Sequence, residues 1–155
     1  MTSERSLNPS EITLQPVVAE DFDELVALRI AAMRESLERV GRFDPERARE
    51  RLRKSFYPEH TTFIVRDGRR IGFYTFRPAE EGFHLDHLYV HPSEQGAGVG
   101  SHVLRQLLAE ADARKAAVLL GALRESASNR FYQRHGFVVR AEDEWDIYYI
   151  RPPKN

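Results

Sequence analysis

The stretch LYVHPSEQGAGVGS, which runs from Leu88 to Ser101, decides how the chain is interpreted. Its first residues suit a β-strand, and from Gly98 onward the apolar residues recur at helical spacing. The glycines between these two elements let successive backbone N–H groups converge, and the helix dipole adds partial positive charge at the same point. The stretch therefore predicts an anion site that holds a phosphate without a metal ion or a lysine.

Two common phosphate-binding loops do not fit this stretch. A Walker loop needs a lysine after its last glycine, but Ser101 follows Gly100 directly. A dinucleotide-binding loop needs G-x-G-x-x-G, whereas the glycines here are spaced G-x-G-x-G and come late, after predicted helices and a hairpin. The remaining pattern is V-x-P followed by Q-x-x-G-x-G, which is met by Val90, Pro92, Gln95, Gly98 and Gly100.

A second stretch, NRFYQRHGF from Asn129 to Phe137, places an aromatic-Tyr pair on a helix that ends in Gly-Phe. Together the two stretches resemble the GNAT superfamily of acetyl-CoA-dependent N-acetyltransferases, and the element order from Ile12 to Ile150 fits that family. The resemblance implies an α/β (α+β) fold with a mixed central sheet of about six to seven strands and helices on both faces. Length and composition indicate a single domain over residues 1–155, with residues 1–10 expected to form a flexible N-terminal tail.

Hydrophobic periodicity predicts the elements independently of this resemblance. Asp21 and Asp44 stand where helix caps are expected, and Pro45 follows at the first helical position of the second helix. Asp67 and Gly68 favour a tight hairpin turn between two β-rich segments. Strands are predicted at residues 12–17, 61–66, 70–76, 83–90, 117–123, 137–139 and 146–150, and helices are predicted to begin near residues 22, 45, 98 and 127.

Composition and charge exclude several classes of function. Lys and Arg total 23 against 24 Asp and Glu, which gives a net charge of −1. The overall charge of the protein therefore does not attract nucleic acid or anionic lipid. Cysteine is absent, and His91 and His102 lack partners at ligand spacing, so no metal site is expected. The polar first residues contain neither a signal peptide nor a membrane span, which makes a cytoplasmic protein the expectation.

The resemblance implies that acetyl-CoA binds as co-substrate, with its pyrophosphate on the glycine loop and its pantetheine arm along the preceding strand. One position departs from the family, because the slot that often holds Asn is Ser126 here, and Asn129 lies one helical turn further on. The residues expected to contact acetyl-CoA are Leu88, Tyr89, Val90, Gln95, Gly96, Ala97, Gly98, Val99, Gly100, Ser101, Ser126 and Asn129.

Direct acyl transfer to an amine needs a base, an oxyanion donor and an acid for the departing thiolate. The resemblance implies Tyr132 as the acid, and a backbone N–H near Val90, where the strand bulges, as the oxyanion donor. Strand alternation puts His84 and Asp86 on one face together with Leu88 and Val90. Histidine titrates near neutral pH, so His84 is the candidate base, and Asp86 could orient it or hold a cationic amine. Ordinary packing of Tyr132, and solvated strand positions for His84 and Asp86, are the alternatives.

The first helix contributes Arg29 and Met33 to the region that, by resemblance, shapes the acceptor pocket. The expected activity is transfer of an acetyl group from acetyl-CoA to a primary amine of a small molecule or peptide. No nucleic-acid or membrane partner is expected, and a homodimer is one possible oligomeric state. The alternative is a non-catalytic acyl-CoA-binding or regulatory module, which would keep the same glycine loop. A solvated helix face or a substrate rim is expected for the basic residues Arg47, Arg49, Arg51, Arg53 and Lys54.

Overall fold

The computed structural model describes residues 11–154, so the tail predicted for residues 1–10 lies outside the described residues. The seven strands are β1 (Ile12–Pro16), β2 (Thr61–Arg66), β3 (Arg69–Ala79), β4 (Gly82–Val90), β5 (Ala117–Leu123), β6 (Val138–Glu142) and β7 (Asp146–Arg151). They form one sheet in the order β1-β2-β3-β4-β5-β7-β6, in which β4 and β5 pair parallel and the other neighbours pair antiparallel. The predicted mixed sheet is confirmed.

Two helices cover each face of this sheet. The four helices are α1 (Phe22–Arg39), α2 (Pro45–Lys54), α3 (Val99–Ala113) and α4 (Ser128–Arg134). On one face, α1 and α2 bury Leu25 and Leu52 against Phe63 and Phe73 of the sheet. On the other face, α3 presents a stripe of buried residues at helical spacing to the larger core cluster. A fully buried Phe or Leu contributes about 1.5–3 kcal/mol by leaving water, so both faces of the sheet stabilise the fold.

The two predicted helix caps differ in the structure. The carboxylate of Asp44 accepts hydrogen bonds from the backbone N–H groups of Glu46 and Arg47, so it caps α2 as predicted. Asp21 stands at the cap position of α1 but makes no capping hydrogen bond. It ends a short 3-10 turn instead, and its carboxylate accepts from the backbone N–H of Val18. The prediction that Asp21 caps the helix is therefore wrong.

A one-residue β-bulge at Asp86 interrupts the alternation of β4. Thr75 on β3 faces His87, and the next residue along, Phe76, faces Leu85, so Asp86 is the extra residue on β4. Beyond the bulge, His87 and Tyr89 lie on the α1–α2 face, beside Phe73.

The prediction that His84 and Asp86 share a face with Leu88 and Val90 is wrong, because the bulge shifts the later residues of β4 by one position. His84 and Asp86 lie on the same face as His87 and Tyr89, whereas Leu88 and Val90 pack against the α3 core. The predicted irregularity near Val90 lies at Asp86, four residues earlier in the chain.

The sheet opens between its two parallel strands. β4 pairs with β5 only at Gly82, Phe83 and His84, which face residues 117–119. Beyond these three positions the strands diverge, although each keeps its antiparallel neighbour on the other side. The facing edges of β4 and β5 therefore have backbone groups that no strand of the sheet pairs.

Candidate functional site

A cleft of about 650 Å³, called the first cleft below, occupies the gap between β4 and β5. Its lining includes residues of both diverging strands, the glycine loop, the start of α3 and one side of α4. The middle of α1 closes it from the other face of the sheet, where Met33 lines the cleft. The lining extends along the strand edge of β4 from the bulge at Asp86 to the glycine loop.

The glycine loop has the geometry of an anion site. Gly96 and Gly98 have φ of 87° and 84°, a left-handed conformation that glycine adopts without strain. The side-chain amide of Gln95 donates to the carbonyl oxygen of Val90 over 2.9 Å and so ties the loop to β4. No side chain caps α3. The first N–H groups of α3 have no partner within the helix, so they and the helix dipole are available to an anion.

The structure brings most of the predicted cofactor residues to the first cleft. Those that line it are Leu88, Tyr89, Val90, Gln95, Gly96, Gly98, Val99, Gly100, Ser101 and Ser126. Ala97 and Asn129 do not line it: Ala97 packs against the hydrophobic core beside α3.

The side chain of Asn129 is committed to the protein itself. Its Nδ2 donates to the carbonyl oxygens of Leu123, Arg124 and Ser126 at 2.8–3.0 Å. Its Oδ1 accepts from the hydroxyl of Tyr149 at 2.7 Å. Asn129 therefore holds the turn between β5 and α4, and it does not line the first cleft.

Ser126 lies at the start of that same helical region and faces the cleft. Its Oγ accepts from the backbone N–H of Ser128, the first residue of α4, at 3.0 Å.

Tyr132 lies on α4 at the inner end of the first cleft. Its ring packs against Phe131 and Phe137, and only 8% of the residue is exposed. Burial, followed by the neighbouring Tyr89, raises the pKa of the Tyr132 phenol above its usual value. The hydroxyl is protonated at neutral pH, as it is for any tyrosine of ordinary or raised pKa.

The carboxylate of Asp86, at the bulge, is shared by two cationic or basic neighbours. Its oxygens lie 2.5 Å from Nε and 3.2 Å from Nη2 of Arg77, and 2.8 Å from Nδ1 of His84. The His84 ring is not turned for a straight hydrogen bond across this contact. Burial would raise the pKa of Asp86, but the close contacts with His84 and Arg77 outweigh burial and hold that pKa below its usual value. Asp86 is therefore ionised at neutral pH and lies against both Arg77 and His84.

A second cleft, of about 480 Å³, adjoins the first. His84 lines only the second cleft, and Tyr132 lines only the first. Of the two residues predicted for an acceptor pocket, Arg29 lines the second cleft and Met33 lines both. The clefts share Met33, Asp86, His87, Tyr89, Gly121 and Leu123. The structure thus places the candidate acid and the candidate base on opposite sides of this junction.

His87 also lies at the junction, and the sequence analysis missed it. Its Nε2 lies 2.9 Å from Oγ of Ser55, while its buried Nδ1 has no hydrogen-bond partner. Burial, followed by the charge of Arg29, lowers the pKa of His87 to about 4. Regular strand alternation had put His87 on the other side of its strand from His84 and Asp86, and nothing in the sequence marks the bulge that brings the three together.

His87 should make the protein less stable as the pH falls. The unfolded chain binds a proton near the ordinary histidine pKa of about 6.5, whereas folded His87 does so only near pH 4. Between these values the unfolded state binds more protons, so this contribution is intact above pH 6.5 and declines toward pH 4, by on the order of 2 kcal/mol. Urea unfolding of the wild type and of His87→Gln at several pH values measures it. The free energy of unfolding should change more steeply with pH in the wild type than in His87→Gln. Parallel curves for the two proteins would contradict a buried, neutral His87.

Two absences concern residues 11–154. In that range no three or more His, Asp or Glu side chains are grouped so as to hold a metal ion. No helix in the same range is both long and apolar enough to cross a membrane.

Comparison with known proteins identifies this architecture. A family model described as an acetyltransferase (GNAT) domain matches residues 58–139, just over half of the chain. No curated protein sequence matches the chain.

Several solved structures share the fold. PaiA N-acetyltransferase from Thermoplasma acidophilum, in complex with coenzyme A, is 18% identical over 91% of this chain and 98% of its own, with a TM-score of 0.74. A GCN5-related N-acetyltransferase from Rhodopseudomonas palustris is 21% identical over 96% and 99%, with a TM-score of 0.73. The ribosomal-protein-S18-alanine N-acetyltransferase from Escherichia coli is 16% identical over 91% and 93%, with a TM-score of 0.68.

The seven-stranded sheet that opens between β4 and β5 is therefore a GNAT-type α/β fold. The chain belongs to the GNAT acetyltransferase family, because the matching family model covers the glycine loop, β4, β5 and α4.

Proposed function

We propose that this protein is an N-acetyltransferase that moves the acetyl group of acetyl-CoA to a primary amine of a small molecule or peptide. The observation that carries the proposal is the junction between the two clefts. The first cleft runs from the glycine loop to Tyr132, and the second meets it at Asp86 and Tyr89. A donor in one cleft and an acceptor in the other would meet there, which direct transfer requires.

Acetyl-CoA is proposed to lie in the first cleft. Its pyrophosphate would bind the unpaired N–H groups at the start of α3, and its pantetheine arm would pair with the open edge of β4 from Leu88 to Val90. The coenzyme A complex of the Thermoplasma protein, which has the same fold, supports this placement. Acetyl-CoA supplies the activated thioester, and the proton transfers fall to side chains on either side of the junction.

The proposed reaction forms a C–N bond and breaks the C–S bond. The neutral amine attacks the thioester carbonyl, the amine loses a proton to His84 directly or through water, and Tyr132 protonates the departing thiolate. Asp86 is proposed to position His84, because its carboxylate is held by Arg77 as well. No covalent enzyme intermediate is needed.

Calorimetry with acetyl-CoA and with NADH tests the cofactor. We expect micromolar binding of acetyl-CoA and no binding of NADH; the reverse preference would refute the proposed donor site. A thiol-release assay over a panel of amines then tests catalysis. Amine-dependent thiol release supports the enzyme, whereas tight acetyl-CoA binding without release from any amine would support the non-catalytic module.

Replacing His84 with Ala should remove the fall in kcat/KM on the acidic side of the pH profile. That fall would report protonation of the base in the free enzyme. The measurement is kcat/KM against pH for the wild type, His84→Ala and the control His60→Ala, since His60 lies outside both clefts. If the acidic fall persists in His84→Ala with activity near the wild type, His84 is not the base, and the amine's own ionisation carries the step.

A further inference from the structure

The second cleft has an excess of positive charge. Its cationic side chains are Arg29, Arg42, Arg47, Arg51 and Lys54, and its carboxylates are Asp44, Asp86 and Asp146. Two of the three carboxylates already have partners within the protein. Asp44 caps α2, and Asp86 contacts Arg77 and His84. The whole chain has a net charge of −1, so this excess is local to the cleft.

Arg29, on α1, is buried in this cleft, and no carboxylate of residues 11–154 pairs with it. Only 7% of the residue is exposed, and Nη1 donates to the carbonyl oxygen of Ala48 over 2.9 Å. Nε is buried with no hydrogen-bond partner. The guanidinium carbon lies 5.9 Å from the centre of the Tyr89 ring, which places the charge beside the junction of the two clefts. A buried cation without a counter-ion is costly, and a bound anion would offset that cost.

The cations of α2 divide by the face on which they lie. On the side away from the cleft, Arg49 pairs with Asp23 over 2.7 Å, and Arg53 stacks on the ring of Phe22. On the cleft side, Arg47, Arg51 and Lys54 form no ion pair within 4.0 Å among residues 11–154. The helix therefore leaves its unpaired charge on the side that faces Arg29.

We propose that the acceptor is a small primary amine that also carries a carboxylate or a phosphate. Arg29, with Arg51 and its neighbours on α2, binds the acidic group, and the amine reaches the junction beside Tyr89. This inference rests on the proposed acetyltransferase function and adds the chemical class of its substrate. Guanidinium groups suit both anions, because their planar N–H donors match carboxylate and phosphate oxygens in pairs.

Matched amines test the proposal and distinguish the two anions. Thiol release with acetyl-CoA is measured for β-alanine against β-alaninamide, for O-phosphoethanolamine against ethanolamine, and for spermidine as a cationic amine. We expect β-alanine or O-phosphoethanolamine, or both, to exceed the matched neutral amine by about 30-fold or more in kcat/KM. A difference of this size is typical when a buried charge loses its partner, as Arg29 would with a neutral amine. The better of the two acidic amines identifies the anion. Equal rates within both pairs, or a preference for spermidine, would overturn the proposal and leave the acetyltransferase function intact.

Binding provides a readout that does not depend on turnover. Calorimetry on the CoA-loaded protein compares β-alanine and O-phosphoethanolamine with their neutral partners. An affinity for an acidic member that disappears in Arg29→Met supports the proposal even if no amine is acetylated, whereas no affinity for either acid overturns it. Failure of acetyl-CoA itself to bind would refute the proposed function separately.

Variants locate the acid-binding site and separate it from a structural role. Arg29→Met and Arg51→Gln should raise KM for the acidic amine, while Arg49→Gln, on the same helix but ion-paired outside the cleft, should not. Acetyl-CoA affinity should stay unchanged in all three. Arg29→Met keeps most of the apolar volume and removes an uncompensated charge, so Tm should change by no more than about 3 °C. A fall of roughly 6 °C or more, with KM unchanged, would show that Arg29 is structural and would overturn the proposal.

Discussion

Tyr132→Phe should lower kcat by roughly a hundredfold to ten-thousandfold, the loss expected when one general acid is removed. The change deletes only the hydroxyl, and the ring packing against Phe131 and Phe137 is kept. The affinity for acetyl-CoA should therefore change little. Steady-state kinetics with a saturating amine and calorimetry with acetyl-CoA measure the two quantities separately.

Tyr74→Phe is the matched control for this experiment. Tyr74 is as buried as Tyr132 and belongs to the same hydrophobic core, but it lines neither cleft. Its variant should keep kcat near the wild-type value. If Tyr132→Phe also keeps its kcat, the thiolate leaves without this acid, and the role assigned to Tyr132 is wrong.

Gly72→Ala should destabilise the protein by about 3 kcal/mol or more, the upper range for inserting a methyl group where no space exists. Gly72 lies on β3 opposite Val90. A Cβ at this position would stand 2.2 Å from the carbonyl oxygen of Tyr89, which is backbone and cannot rotate away. The end of β4 would have to shift, so acetyl-CoA affinity should fall as well. Urea unfolding and calorimetry measure both effects.

Gly68→Ala, in the turn between β2 and β3, separates crowding from backbone strain. Gly68 has φ of 75° and open space around it, so alanine there meets only the cost of a left-handed conformation, about 1–2 kcal/mol. Its acetyl-CoA affinity should be unchanged. Equal destabilisation by the two variants, with equal affinity, would contradict the close approach of Gly72 to β4.

The sequence predicted most of the fold because local signals and the global pattern agree. The strand Ala117–Leu123 and the hairpin turn at Asp67 and Gly68 lie where periodicity and turn chemistry put them. The cap at Asp44 was found because the residue types that cap helices are few. The glycine loop was found because left-handed backbone at Gly96 and Gly98 requires glycine.

The candidate site was harder to predict because its geometry depends on contacts between distant segments. The bulge at Asp86 is set by the register between β3 and β4, and one extra residue moves every later side chain of β4 to the other face. The structural role of Asn129 depends on Tyr149, which is twenty residues away. The unpaired state of Arg29 depends on how α1 packs against α2. None of these contacts has a short-range signal in the sequence.

The divergence of β4 from β5 divides the sheet into two halves. One half is β1 to β4 and the other is β5, β7 and β6, and within the sheet they are joined at only three residue positions, beginning with Gly82 against Ala117. A ligand that pairs with β4 across this gap acts as a strut between the halves. Its occupancy then adds RT ln(1 + [L]/Kd) to the free energy of unfolding. The ligand concentration would thus set how often the folded chain unfolds locally and exposes this gap to solvent and to proteases.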